Sequence, residues 1–167
     1  NPAVITIGLL FILSSAIQKT GLLEYIVVTI NRLVQSSKTI GLAAYYFTIS
    51  IASSLINNTA IVAIFMPITI RLAHTYKVSP SKMLIPLSYA AILGGTLTLV
   101  GTSTNLLVNS IYVSYEGVQP LGMFEFFKYG FIILIIGTAY LLFIAPKLIP
   151  SRTTTSSLTK SYHLGGY

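Results

Sequence analysis

Two long stretches without a charged residue limit this chain more than any other feature. One lies between Lys38 and Arg71, the other runs from Met83 to Tyr115. A bilayer crossing takes about 20 apolar residues, so each stretch is too long for one helix and tight for two. Each also has a polar centre. In the first it reads Ser53, Ser54, Leu55, Ile56, Asn57, Asn58, Thr59; in the second Gly94, Gly95, Thr96, then Gly101, Thr102, Ser103, Thr104, Asn105. Half-length helices meeting at a polar break account for both the length and the pattern. Such irregular backbone is tolerated at membrane depth only where it faces protein or a water-filled cavity.

Composition supports a membrane setting. Of the 167 residues, 54% are hydrophobic and 8% are charged, against roughly 25% charged in soluble domains. The net charge of +7 comes from ten Lys and Arg set singly between apolar runs. No basic stripe is present, so nucleic acid is not an expected partner. Cations of this kind hold loops on the cytoplasmic side. The absence of cysteine excludes disulfides and thiolate chemistry within the chain. The chain starts at Asn1 and ends at Tyr167 on a polar stretch, and it is expected to be a piece of a longer protein.

The fold expected is all-α and polytopic, with a transport domain over 1–149 and a cytoplasmic linker over 150–167. The segments are a transmembrane helix at 2–18, an interfacial amphipathic helix at 21–35, a re-entrant hairpin at 40–75, a broken transmembrane helix at 83–114 and a spanning helix at 124–146. Charge decides which uncharged run re-enters. Lys38 precedes the first run and Arg71, Lys77 and Lys82 follow it, so both of its ends are cytoplasmic. The second run leaves from Lys82 and emerges at Glu116, Gly117, Gln119 and Pro120, so it crosses, as half-helices at 83–95 and 105–114. Pro67, Pro80 and Pro86 are expected at helix ends and turns.

The chemistry is expected at the two breaks. Ser53, Asn57, Asn58 and Thr59 offer neutral oxygens that, with unwound carbonyls, can replace the hydration shell of a small cation. Half-helix N-termini present N–H groups suited to an anion. Interhelical hydrogen bonding alone explains one such residue, but less readily a cluster in the middle of an uncharged run. Gly94, Gly95 and Gly101 to Asn105 do not form a phosphate-binding loop, because no Lys follows the glycines. His74 and His163 have no nearby ligand or acid–base partner, and the serines have no base, so no enzyme is expected.

The stretches SSLINNTAIVAIFMP (53–67) and PSKMLIPLSYAAILGGTLTLVGTSTNLLVN (80–109) resemble the divalent anion/sodium symporter family of the ion transporter superfamily. The closest likeness is to its citrate/sulfate permease-like subgroup, with RCK-type cytosolic domains between two membrane halves. The resemblance implies a secondary transporter of sulfate or of a di- or tricarboxylate, working by alternating access in the plasma membrane, with a metalloid anion as another cargo of the superfamily. It places Asn57, Asn58, Thr59, Thr102, Ser103, Thr104 and Asn105 at the substrate, and Ser53, Asn57, Asn58 and Gly101 at sodium. Asn57 stands where the family has Ser. Only the first of two inverted repeats is present, so the second repeat is an expected partner, and a homodimer the expected assembly. No cofactor is expected beyond sodium as coupling ion, favoured over protons because the breaks contain no carboxylate. The alternative reading is a channel-like permease with a carbonyl- and hydroxyl-lined pore.

Overall fold

The computed structural model describes residues 38–115 and 117–151, with isolated positions 5, 8, 9, 12, 16, 19 and 20. The helix expected over 2–18 therefore lies largely outside the described residues, as do the interfacial helix at 21–35 and nearly all of the linker over 150–167. Among the described residues the chain is all helical. The helices are α1 (Lys38–Ser53), α2 (Asn58–Thr75), α3 (Ser81–Gly95), α4 (Ser103–Tyr112), α5 (Phe127–Phe143) and the short α6 (Ala145–Leu148).

α1 and α2 form a hairpin around a four-residue tip at 54–57. The Tyr45 hydroxyl of α1 lies 2.7 Å from Thr69 Oγ1 of α2, and its ring meets Phe65 edge-on with centroids 6.0 Å apart. Both contacts sit about equally far from the tip, so the chain returns to the end from which it set out. α3 packs against both arms and against α5, which also touches α1. The core lies along these contacts, with Tyr45, Ile49, Ile61, Phe65, Leu87, Ala90 and Ala91 all buried.

α1 and α3 cross with their backbones nearly touching. A Cβ on Gly94 would lie 2.1 Å from the Ser50 carbonyl oxygen. Ser50 Oγ also donates across the crossing to Ala90 O at 2.8 Å. Only a residue without a side chain allows this approach.

Two proline positions and the last helix differ from expectation. Pro67 and Pro86 lie inside α2 and α3 rather than at their ends. Pro86 is fully buried, so packing offsets the hydrogen bond it removes, whereas Pro67 lies on the exposed face of α2. The helix expected over 124–146 is instead α5, 17 residues long, followed by α6. Pro146 cannot continue the ladder of α5, but it suits the first turn of a new helix. Among the described residues no helix is long and apolar enough to cross a membrane. α3 and α4 are separated by the break at 96–102, and α2 carries Arg71 and His74 near its end.

Gly94→Ala should destabilise the fold by about 1–3 kcal/mol, the usual cost of overpacking. Thermal unfolding of the detergent-purified full-length protein measures this, with Gly122→Ala as control, since there a Cβ meets only Glu125 Oε2 at 3.6 Å.

Candidate functional site

Four helix ends meet at one place. α1 and α3 end there at Ser53 and Gly95, while α2 and α4 begin there at Asn58 and Ser103. The ends are joined by side chains that serve interrupted backbone. The buried Thr98 hydroxyl donates to the Ser54 carbonyl at the hairpin tip and accepts from Gly101 N at 3.0 Å. Asn105, in the first turn of α4, donates through Nδ2 to Gly95 O at 3.2 Å and Thr98 O at 2.9 Å. Gly95 and Gly101 are in backbone contact, and a Cβ on Gly101 would fall 2.6 Å from Gly95 O.

Ser53, Asn58 and Gly101 converge at the centre. One end of the Asn58 amide lies 2.6 Å from Ser53 Oγ and 3.3 Å from the carbonyl oxygens of both Ala91 and Gly101. With its oxygen at that end, it accepts from Ser53 Oγ and faces two further oxygens. With its nitrogen there, it donates to all three. The same residue lines a groove of about 340 Å³ with Thr59, Val62, Met66, Ser88 and Ile92.

The other expected site residues are placed differently. Asn57 is the N-cap of α2, and its Oδ1 accepts from Thr59 N at 2.9 Å, so its oxygen serves the helix end. Thr59 is exposed at the groove. Ser103 and Thr104 are exposed on α4, and Thr102 is its extended N-cap without a side-chain cap bond. α4 thus starts at Ser103, two residues before the expected 105. Two contributors went unforeseen. Thr98 stands out in the sequence as a single hydroxyl between Leu97 and Leu99 inside the glycine-rich break. Ala91 acts through its carbonyl, which no side-chain pattern reveals.

The central cluster is electrically neutral, made of hydroxyls, amides and carbonyls. Among the described residues no group of three or more His, Cys, Asp or Glu is arranged to hold a metal. This chemistry suits weak, reversible coordination of a small cation beside helix N-termini that favour an anion.

Interrupted helices meeting end to end at a neutral polar cluster form the kind of site that secondary transporters build at the bilayer midplane. A family model described as citrate transporter matches residues 1–161, and the chain belongs to that family. Over its whole length it is 38% identical to an uncharacterized transporter, sll0640, of Synechocystis sp., and covers 28% of that relative. It is 32% identical, over 92% of its length, to sodium/sulfate cotransporter 1 of Chlamydomonas reinhardtii, covering 18% of it. It is 30% identical, over 85% of its length, to the uncharacterized transporter YfbS of Escherichia coli, covering 23% of it. The chain thus spans less than a third of these relatives. No solved structure matches it. The family and these relatives are transporters, not enzymes, which supports a location in a membrane.

Thr98→Val should cost about 1–3 kcal/mol, because it leaves the Ser54 carbonyl without its donor. The expected readout is a lower unfolding temperature and faster proteolysis at 96–102 in the full-length protein.

Proposed function

We propose that the full-length protein is a secondary active symporter. Its cargo is an oxyanion such as sulfate, or a di- or tricarboxylate, and it is coupled to sodium by alternating access in the plasma membrane. The observation that carries this reading is the convergence of Ser53 Oγ, the Asn58 amide and the Ala91 and Gly101 carbonyls at the broken helix ends. These neutral oxygens fit sodium, which would be held by Ser53, Asn58 and Gly101 and would supply positive charge beside the anion. The anion would lie beside Thr59 at the start of α2, where the helix N-terminus offers N–H groups. Relatives named sodium/sulfate cotransporters support sulfate and sodium, and the family described as citrate transporter supports a carboxylate.

The same geometry supports the proposed membrane arrangement. α1–α2 is read as a re-entrant hairpin, because two short antiparallel arms, held together midway by the Tyr45–Thr69 contact, meet at the polar tip and are flanked by cations at both ends. α3 and α4 are read as one crossing broken at 96–102. α5 is apolar all round and leaves Ile132, Ile135, Ile136 and Phe143 exposed, as expected of a helix among lipids. This chain supplies one repeat, and a second, inverted copy would complete the site.

Uptake of radiolabelled sulfate and succinate by the full-length protein in vesicles tests the function. Wild type should require a sodium gradient and saturate, and Asn58→Ala should lower uptake about tenfold or more. Equal uptake by both proteins would sink the site assignment, and unsaturable flux without sodium would favour a channel. Topology is tested separately by single cysteines. Reporters at Thr39 and Thr75, both exposed, should label from the same side of the membrane, and one at Tyr115 from the opposite side.

A further inference from the structure

The end of the bundle away from the broken helices holds a second polar feature. α1 and α3 start there, α2 ends there, and α5 gives way to α6. These termini enclose a cavity of about 210 Å³. Its polar lining is Thr39, Tyr46, Tyr76 and Lys82, and its apolar wall includes Val78 and Leu141. The turn after α2 builds one side. Val78 N donates to Ala73 O at 3.0 Å and Lys77 N to His74 O at 3.1 Å, the paired bonds that close a helix through a left-handed residue. That residue is Lys77, at φ 53°, and the reversal it makes sets Tyr76 and Val78 on the cavity wall.

Two polar groups of this lining lack partners. Tyr46 is only 2% exposed, and its hydroxyl has no hydrogen-bond partner among the described residues. Buried hydroxyls are seldom left so, and the cavity is where a partner would lie. Lys82 is half-buried in the first turn of α3 and makes no ion pair among the described residues. A cation is badly placed there, because a helix N-terminus already carries the positive end of the dipole. α3 has neither an acidic residue in its first turn nor a side-chain cap to offset it. Arg71, Lys77 and Lys147 lie toward the same end, while the one described carboxylate, Glu125, precedes α5 at the other. Uncompensated positive charge beside a buried, unpaired donor suits an anionic oxygen.

We infer that this cavity binds the phosphate of an anionic phospholipid, held by Lys82 and the Tyr46 hydroxyl. In the proposed arrangement this end faces the cytoplasm, the side on which basic pockets between membrane helices take lipid headgroups. A lipid is favoured over free phosphate because much of the lining is apolar. The cavity also shares Leu141 with an apolar groove of about 660 Å³ between α3 and α5. An acyl chain would lie along that groove while the phosphate joins α1 to α3, so the lipid would clamp the base of the hairpin. The inference uses the membrane location but neither the proposed cargo nor the coupling ion.

The test takes the full-length protein in detergent, without sodium. Native mass spectrometry follows binding of phosphatidylglycerol and phosphatidylcholine, and thermal unfolding follows the effect of each lipid and of inorganic phosphate. Wild type should prefer phosphatidylglycerol by about fivefold or more. Lys82→Gln should lower that lipid's affinity about tenfold, and Tyr46→Phe about threefold. Tyr46→Phe breaks no bond of the folded chain, so its unfolding temperature without lipid should hold. Lys77→Gln deletes the same charge from an exposed position outside the cavity lining and should change the affinity by less than about twofold.

Equal losses in Lys77→Gln and Lys82→Gln, with Tyr46→Phe unaffected, would overturn the site and leave only general attraction to a charged surface. Stabilisation by inorganic phosphate that Lys82→Gln abolishes, without preference between the lipids, would overturn the lipid as occupant. If Lys82→Gln does not fold, the contrast between Tyr46→Phe and Lys77→Gln decides. Loss of sodium-driven uptake bears on the proposed function alone, since none of these measurements involves transport.

Discussion

A helix that stops partway through an apolar environment leaves backbone donors and acceptors that no water can satisfy, and the rest of this structure depends on how that is resolved. Here the resolution is local and made by neutral side chains. Asn57 caps the start of α2, Thr98 bridges the hairpin tip and the Gly101 amide, and Asn105 holds the carbonyls of Gly95 and Thr98. These bonds tie four helix ends into one cluster. The cluster is therefore a product of backbone accounting before it is a binding site. Its polarity toward ligands is what remains once those demands are met.

α3 supports this arrangement, but unevenly. It is pinned to α1 through the Ser50–Gly94 approach and to both hairpin arms through its buried face. It also packs against α5, which in turn touches α1. α4 has no comparable support among the described residues. Leu106 is its one buried residue there, and its anchors are the Asn105 amide and the Asn109 Oδ1 that accepts from Leu121 N at 2.9 Å. Ser53, Asn58 and Ala91 thus belong to a firmly packed body. Gly101 reaches the cluster from a loop held mainly by hydrogen bonds. The cluster is therefore divided, with three members fixed by helix packing and the Gly101 carbonyl free to adjust with its loop.

The two breaks were legible in the sequence because they depend on features a sequence shows directly: charge-free length, a polar centre and flanking cations. Their fine placement was not. Thr102 is extended, and Ser103 and Thr104 are well suited to a first helical turn, so α4 begins earlier than a polarity reading places it. Asn57 and Asn58 are adjacent and chemically alike, yet one caps a helix and the other enters the cluster. That difference arises from which way each Cα points once α2 has formed. Pro67 and Pro86 read as punctuation, but both lie inside helices, Pro86 buried in the packing of α3 and Pro67 on the exposed face of α2. Ala91 could not be found at all, because its contribution is a main-chain oxygen brought in by the α3 crossing.

Neutrality at the cluster has a thermodynamic consequence for any cation it takes. A carboxylate would bind a monovalent ion more tightly and would also titrate, adding protons as competitors. Hydroxyl, amide and carbonyl dipoles give a shallower well, which an ion can leave as well as enter. An anion beside such a site gains the cation's charge without a fixed carboxylate to repel it. The absence of fixed charge at the cluster would therefore let one ligand's charge stabilise the other, and would leave neither strongly held when its partner is gone.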